Sequence, residues 1–277
     1  MRITAIITHY RNGAFLADAV QSVLSQTRPA DEILVIDDAT PVADAGALDA
    51  LPTSVRLIRL PVNGGPGVAR QVGAEQATGD WLAYLDADDL WEPTKLERSE
   101  AFLSAHPEAR SLHTGMIVFA TAGGPEKVYL KKPEQHSGSR AVLQGEGLPS
   151  GLMLHRAALL GIGGWSADRN LIEDWDLEIR MTNQCGPLWF LPEPLTRFRR
   201  ANHGNLSSRS MLNVYRQLHT VWHHRRLTTR LHGRGVWRAV ASRLLVGESM
   251  KIRGVKRVMV WSFAKALRIG APPIPPH

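Results

Sequence analysis

Cysteine is nearly absent from this chain: Cys185 is the only one in 277 residues. That excludes an internal disulfide and a cysteine-rich zinc site, and it fits a reducing, cytoplasmic compartment. Long apolar runs are absent too, and without a stretch of about 18 such residues no transmembrane helix is expected. The opening residues Met1 to Ile7 lack the apolar core of a signal peptide and read as a first strand. No internal repeat is visible. Acidic residues almost vanish near the end: from Arg197 onward 17 Lys/Arg stand against Glu248 alone. The first 196 residues hold the other 16 basic and 25 acidic residues, so a body of −9 carries a tail of +16. Such asymmetry calls for an anionic partner, a membrane face before nucleic acid, since no recognition motif accompanies the charge.

What remains is globular in composition, 44% hydrophobic and 21% charged. The organising stretch is Gly79 to Asp89. A turn pair, Gly79-Asp80, leads into the apolar run Trp81 to Leu85, which reads as a strand buried on both faces. It stops at Asp86, Asp88 and Asp89. Asp86 and Asp88 lie two apart and project to one side in extended backbone. Their repulsion disfavours such a cluster unless a cation sits between them, and hard oxygen ligands suit Mg2+ or Mn2+. A solvated acidic turn ahead of the next helix is the plainer alternative.

Arg2 to Thr8 reads as the first strand. Phe15, Leu16, Ala19, Val20, Val23 and Leu24 recur at helical spacing. Glu32 to Ile36 is a second buried strand, and it too ends in carboxylates, Asp37-Asp38. Val55 to Leu60 gives a third strand and Val68 to Ala77 a helix. This order predicts an α/β fold with a largely parallel sheet covered by helices. In open sheets of that type ligands bind beyond the carboxyl ends of the strands, where both acidic groups fall. Further on, Pro93 to Ala105 reads as a helix, Ser111 to Phe119 as a strand, and Gly123 to Gly147 as a loop with a short strand near Val128-Tyr129-Leu130. Gly151 to His155 is another strand. Glu173-Asp174-Trp175-Asp176 opens a helix, and Leu188 to Leu191 and Leu195 to Arg199 are two more strands. Beyond Ser208 the pattern is helical and basic: Met211 to Thr229, Val236 to Val246 and Val255 to Leu267.

These pieces resemble family 2 glycosyltransferases of the GT-A fold. The likeness is carried by Ile36-Asp37-Asp38-Ala39-Thr40, Asn63-Gly64 with Gly67 to Gly73, Leu85 to Asp89, Gly163-Gly164-Trp165, Glu173 to Leu177, and Phe198-Arg199 with His203 and Ser207. It covers residues 2–207, leaving 208–277 as a basic helical extension. Departures at Thr8, Arg11, Ala39, Thr40 and Gln71 bear on base and sugar selectivity. The resemblance implies an inverting, metal-dependent transfer of a sugar from a nucleoside-diphosphate-sugar, with uridine the base in most members. Asp88 would be the metal ligand, joined by His203, with Mg2+ or Mn2+ as cofactor. Asp38 would meet the base; Thr8, Tyr10, Arg70, Asp86, Ala87 and Trp175 would line the nucleotide-sugar. Asp174 matches the general base that deprotonates the acceptor hydroxyl. The acceptor would be a glycan or a lipid-linked molecule of cell-surface polysaccharide, lipopolysaccharide or glycolipid synthesis.

Two other readings compete. A nucleotidyltransferase would carry an early glycine-rich basic loop, which His9 to Gly13 matches poorly. An inert basic binding module would not need the acidic set. For the tail, the last helix interleaves Val258, Met259, Trp261 and Phe263 with basic residues. Val258, Trp261 and Ser262 share one face, with Arg257, Lys265 and Arg268 mostly away from it. Such a helix can lie in the headgroup layer of an anionic membrane, placing the protein peripherally on its inner face. Packing of the tail on the body, or on a second copy as a homodimer, is the alternative.

Overall fold

The computed structural model describes residues 1–11, 13–42, 45–121, 123, 125–130, 138–143, 149–200, 210–249 and 255–274. Alternation decides the core. In β1 (Ile3–His9), β2 (Glu32–Asp37) and β4 (Trp81–Asp86) nearly every residue is buried, so each strand feeds two apolar layers. Ile3, Ala5, Ile7, Ile33, Val35, Trp81, Ala83 and Leu85 face one layer, with α1 (Gly13–Leu24) and α4 (Lys95–Ala105) packed on it. Ile6, Leu34, Ile36, Leu82 and Tyr84 face the other, under α3 (Pro66–Gln76), α6 (Arg156–Gly161) and α7 (Glu173–Gln184). A short helix, α2 (Gly46–Asp49), leads to β3 (Arg56–Arg59) at the sheet's edge.

The sheet runs β3-β2-β1-β4 and then continues through β8 (Leu152–His155), β6 (Ser111–Ala120), β9 (Trp189–Arg200) and β5 (Leu90–Trp91), with β7 (Lys127–Tyr129) paired to β6. The first four strands are parallel, as the sequence predicts. The second half is mixed: β8 runs antiparallel to both β4 and β6, and β5 to β9, while β6 and β9 are parallel. The two strands expected around residues 188–199 are one, β9. Its register against β6 shifts near Gly115, opposite Pro194, because Pro192 and Pro194 cannot donate to the ladder.

A four-residue helix, α5 (Gly138–Ala141), precedes β8. After β9 come α8 (Ser210–His223), α9 (Arg225–His232), α10 (Val236–Ser249) and α11 (Val255–Arg268). The single helix expected over 211–229 is therefore two, broken at His224. These helices pack on the body: Val221, Val236, Val240 and Ala241 share a core with Ala141, Trp175 and Ile179. The last helix uses Ala264 and Leu267 against Val214 and Leu245. Met259, Trp261 and Phe263 stay exposed, and Lys265 does not lie away from them, since its ammonium sits 3.6 Å from the centre of the Trp261 ring. No helix among the described residues is long and apolar enough to cross a membrane.

Candidate active site at the carboxyl edge of the sheet

Because β2, β1 and β4 are parallel neighbours, their carboxyl ends lie side by side: His9 pairs with Asp37, and Thr8 with Asp86. The Thr8 hydroxyl donates to Asp86 Oδ1 at 2.8 Å, and the Ala87 N–H donates to the Thr8 carbonyl at 3.0 Å. Ala87 itself is buried, so its contribution here is backbone. The turn after β4 is held from several sides. Ser150 Oγ accepts from the Asp86 N–H at 3.1 Å and donates to the buried Asp89 carboxylate at 2.5 Å. Asp89 also accepts from the Arg199 N–H at 2.8 Å, and Arg199 Nε donates to the Asp88 carbonyl at 2.8 Å.

Among the described residues no side chain donates to the Asp88 carboxylate. Burial first, and the charge of Asp86 second, push its pKa up to about 6. Asp89 is raised as well, by burial and then by Asp86 and Asp88. Oxygen-only donors at Asp86 and Asp88, two residues apart, fit a hard divalent cation, whose charge would offset their repulsion. The residues present therefore suit Mg2+ or Mn2+.

Arg70 ties this edge to α7. Its side chain is almost wholly buried; Nη2 donates to Asp86 Oδ1 at 2.7 Å and Nη1 to Glu173 Oε1 at 3.4 Å. The guanidinium lies 5.1 Å from the Trp165 ring centre. Burial opposes its charge, but Asp86, Glu173 and Asp174 together hold it firmly protonated. Glu173 is shared with Arg216, whose Nη2 approaches Oε2 to 2.6 Å. The approach of Trp165 requires glycine before it. Gly164 has φ +70, and a Cβ there would meet Gln71 Oε1, which accepts the Trp165 N–H at 2.8 Å.

Asp174 stands in the first turn of α7, where Oδ1 accepts the Trp175 N–H at 2.8 Å. It borders a small cavity of about 20 Å³ with Leu152, Leu154, Leu177 and Met181. Burial, then the adjacent Glu173, raise its pKa to about 7, with Arg70 working in the opposite direction. A carboxylate poised there can accept a proton near neutral pH.

Asp38, two strands from Asp86, binds the loop before α3. Its carboxylate accepts the N–H groups of Gly64 and Gly65 at 2.7 and 2.8 Å and Asn63 Nδ2 at 2.9 Å. A cleft of about 390 Å³ opens beside that loop, lined by Gly64 to Val68, Ser166 to Asn170, Glu173 and Arg216.

Asp86 thus bonds both Thr8 and the buried Arg70 guanidinium, whose charge also acts on Asp88 and Asp174. Tyr10 follows directly after β1 and is 39% exposed. Trp175 is not among them: it is buried against the C-terminal helices, and its indole N–H donates to the Ala141 carbonyl at 2.7 Å. His203 falls outside the described residues. Ser150, Asp89, Glu173 and Arg216 carry supporting bonds that sequence reasoning did not assign. Ser150 sits at the end of a weakly patterned segment and gives no local signal.

Residues 4–139 match the family model described as glycosyl transferase family 2. Over that stretch the chain is a family 2 glycosyltransferase domain. It is 30% identical over 135 residues to a putative teichuronic acid biosynthesis glycosyltransferase of Bacillus subtilis, covering 48% of this chain and 53% of the relative. It is 37% identical over 97 residues to the succinoglycan biosynthesis protein ExoO of Rhizobium meliloti, covering 35% and 28%. The chain thus spans about half of the first relative and under a third of the second. An uncharacterized glycosyltransferase of Haemophilus influenzae matches over 224 residues at 27% identity, 77% of this chain and 81% of the relative. In structure, S. aureus TarS 1–349 in complex with UDP-GlcNAc superposes with a TM-score of 0.73 at 18% identity, over 98% of this chain and 82% of that one. The mannosyltransferase PcManGT of Pyrobaculum calidifontis, in complex with GDP-Man and Mn2+, gives 0.65 at 16% identity, over 97% and 80%. The fold is that of the GT-A glycosyltransferases.

Proposed function

We propose that this family 2 member is an inverting glycosyltransferase that moves a sugar from a nucleoside-diphosphate-sugar to a hydroxyl acceptor. The observation that carries this is the convergence of Asp86 and Asp88 with Asp174 on Arg70. Asp88, with Asp86 beside it, would hold a divalent cation, and such an ion supplies Lewis-acid stabilisation of the departing diphosphate. Asp38 would meet the base and Tyr10 would line the nucleotide-sugar, while Thr8 fixes Asp86. Asp174 takes the proton of the acceptor hydroxyl as its oxygen attacks the anomeric carbon. The new carbon–oxygen bond forms as the bond to the diphosphate breaks, and in-line displacement inverts configuration.

Uridine is the base we favour, and cell-surface polysaccharide the destination, because relatives carry the names of teichuronic acid and succinoglycan synthesis. Residues 1–207 form the catalytic unit in this reading, and 208–277 a basic extension. Met259, Trp261 and Phe263, exposed beside Lys265 and Arg268, suit insertion among anionic headgroups, which would hold the enzyme next to a lipid-linked acceptor. The test is a screen of nucleotide-sugars for release of nucleoside diphosphate, with and without Mn2+. Metal-dependent release from one donor supports the reading; no release from any donor, with or without acceptor lipids and glycans, contradicts it.

A further inference from the structure

A second cluster lies on the far side of α7's first turn, and the proposed transfer makes no use of it. Asp176 is buried there. Its Oδ2 accepts from Arg180 Nε and Nη2 at 2.9 and 2.7 Å, while Oδ1 lies 2.9 Å from His224 Nε2. His224 stands at the break between α8 and α9, and the preceding His223 packs edge-on to it, with ring centres 4.9 Å apart. One ligand atom from each of Asp176, His223 and His224 falls within 4.8 Å of the others. Asp176 and His224 are buried and His223 is exposed, so the cluster opens to solvent on one side.

The donor set has a definite chemical preference. Two imidazoles and one carboxylate suit zinc and its neighbours, whereas the oxygen-only pair Asp86 and Asp88 suits Mg2+ or Mn2+. Bonds of about 2.1 Å need tetrahedral ligand atoms about 3.4 Å apart, so the Asp176–His224 pair at 2.9 Å opens slightly as the exposed His223 rotates inward. The oxygen of Asp176 turned away from His224 is already fixed by Arg180, the kind of outer support that orients a metal-binding carboxylate. His219 lies one turn before His223 on the same face of α8, with Nε2 3.3 Å from Asp168 Oδ2, and adds imidazole to that surface.

We propose that Asp176, His223 and His224 form a binding site for a zinc-class divalent ion, with a solvent position left open. Asp176 lies two residues beyond Asp174. An ion there would fasten the start of α7 to the α8–α9 junction, and so brace the helix that presents the carboxylate. The site does not depend on the identity of the sugar donor.

The test uses the full, tag-free chain and zinc chloride, with calorimetry for stoichiometry and a thermal melt for linkage. One equivalent should bind and raise the melting temperature. His223→Ala, at an exposed ring, should keep the fold and weaken zinc at least about tenfold, the lower bound for disturbing even an outer partner of a metal site. Asp88→Ala should bind zinc as the parent does. Absence of zinc binding, equal binding by His223→Ala, or loss confined to Asp88→Ala would each overturn the proposal.

Discussion

Replacing Arg70 by methionine keeps much of the stem volume while removing a buried cation common to both halves of the candidate site. The Arg70 side chain is 4% exposed, and it pairs with Asp86 at 2.7 Å and Glu173 at 3.4 Å. Removing one partner of a buried ion pair costs about 3–5 kcal/mol. The lower end applies here. Asp86 is 30% exposed and keeps the Thr8 hydroxyl, and Glu173 keeps Arg216. A loss of about 3 kcal/mol corresponds to a fall of about 6–12 °C in Tm for a chain of this size. The pH dependence has a definite sign. Asp88 and Asp174 have folded pKa values of about 6 and about 7, above the ordinary 3.8, and Arg70 lowers both. A carboxylate with a raised folded pKa binds more protons in the native state, so its contribution falls as pH rises through that window. Without Arg70 both windows extend upward, and the variant's deficit should be greater at pH 8 than at pH 5. Urea melts of both proteins at the two pH values measure this. A deficit below about 1 kcal/mol, or one independent of pH, would refute the role given to the guanidinium.

Asp174→Asn should keep donor affinity and lose transfer by about 10²-fold or more, the scale of a lost general base, in a steady-state assay with saturating donor. Normal turnover would reduce Asp174 to a charge at a helix start. Binding of Mn2+ should strengthen from pH 5 to 7, because the ion competes with the proton that Asp88 takes up near pH 6; calorimetry across that range would show it. Changing Trp261 and Phe263 together to serine, both exposed, should leave the melt unchanged and reduce co-sedimentation with anionic vesicles. Undiminished pelleting would remove the membrane reading.

The sheet's carboxyl edge was legible because two apolar runs end in carboxylates at Asp37-Asp38 and Asp86-Asp88, and both runs are short enough to be buried strands. Burial on both faces of β1, β2 and β4 then follows from runs that are mostly apolar. The second half was less legible. Whether β8 joins parallel or antiparallel depends on pairing with β4 across about 70 residues, and no local pattern encodes it. Pro192 and Pro194 made β9 look like two strands, although a register shift absorbs them. Trp175 illustrates a different limit. The resemblance implies a ligand contact for Trp175, but one step along a helix from Asp174 turns the side chain by about 100°, toward the C-terminal helices. Those helices cover Trp175 and Ile179, so the basic tail is part of the packing as well as a charged surface.

In the proposed reaction Asp88 holds the nucleoside diphosphate through a divalent cation, at the edge built by Thr8, Asp86 and Arg70. Calorimetric titration of UDP into the protein, with and without Mn2+, tests it most directly when repeated on Asp88→Ala. The parent should bind UDP in a metal-dependent way and the variant should lose that binding, with the melt otherwise intact. Equal metal-dependent affinity in the two proteins would contradict it.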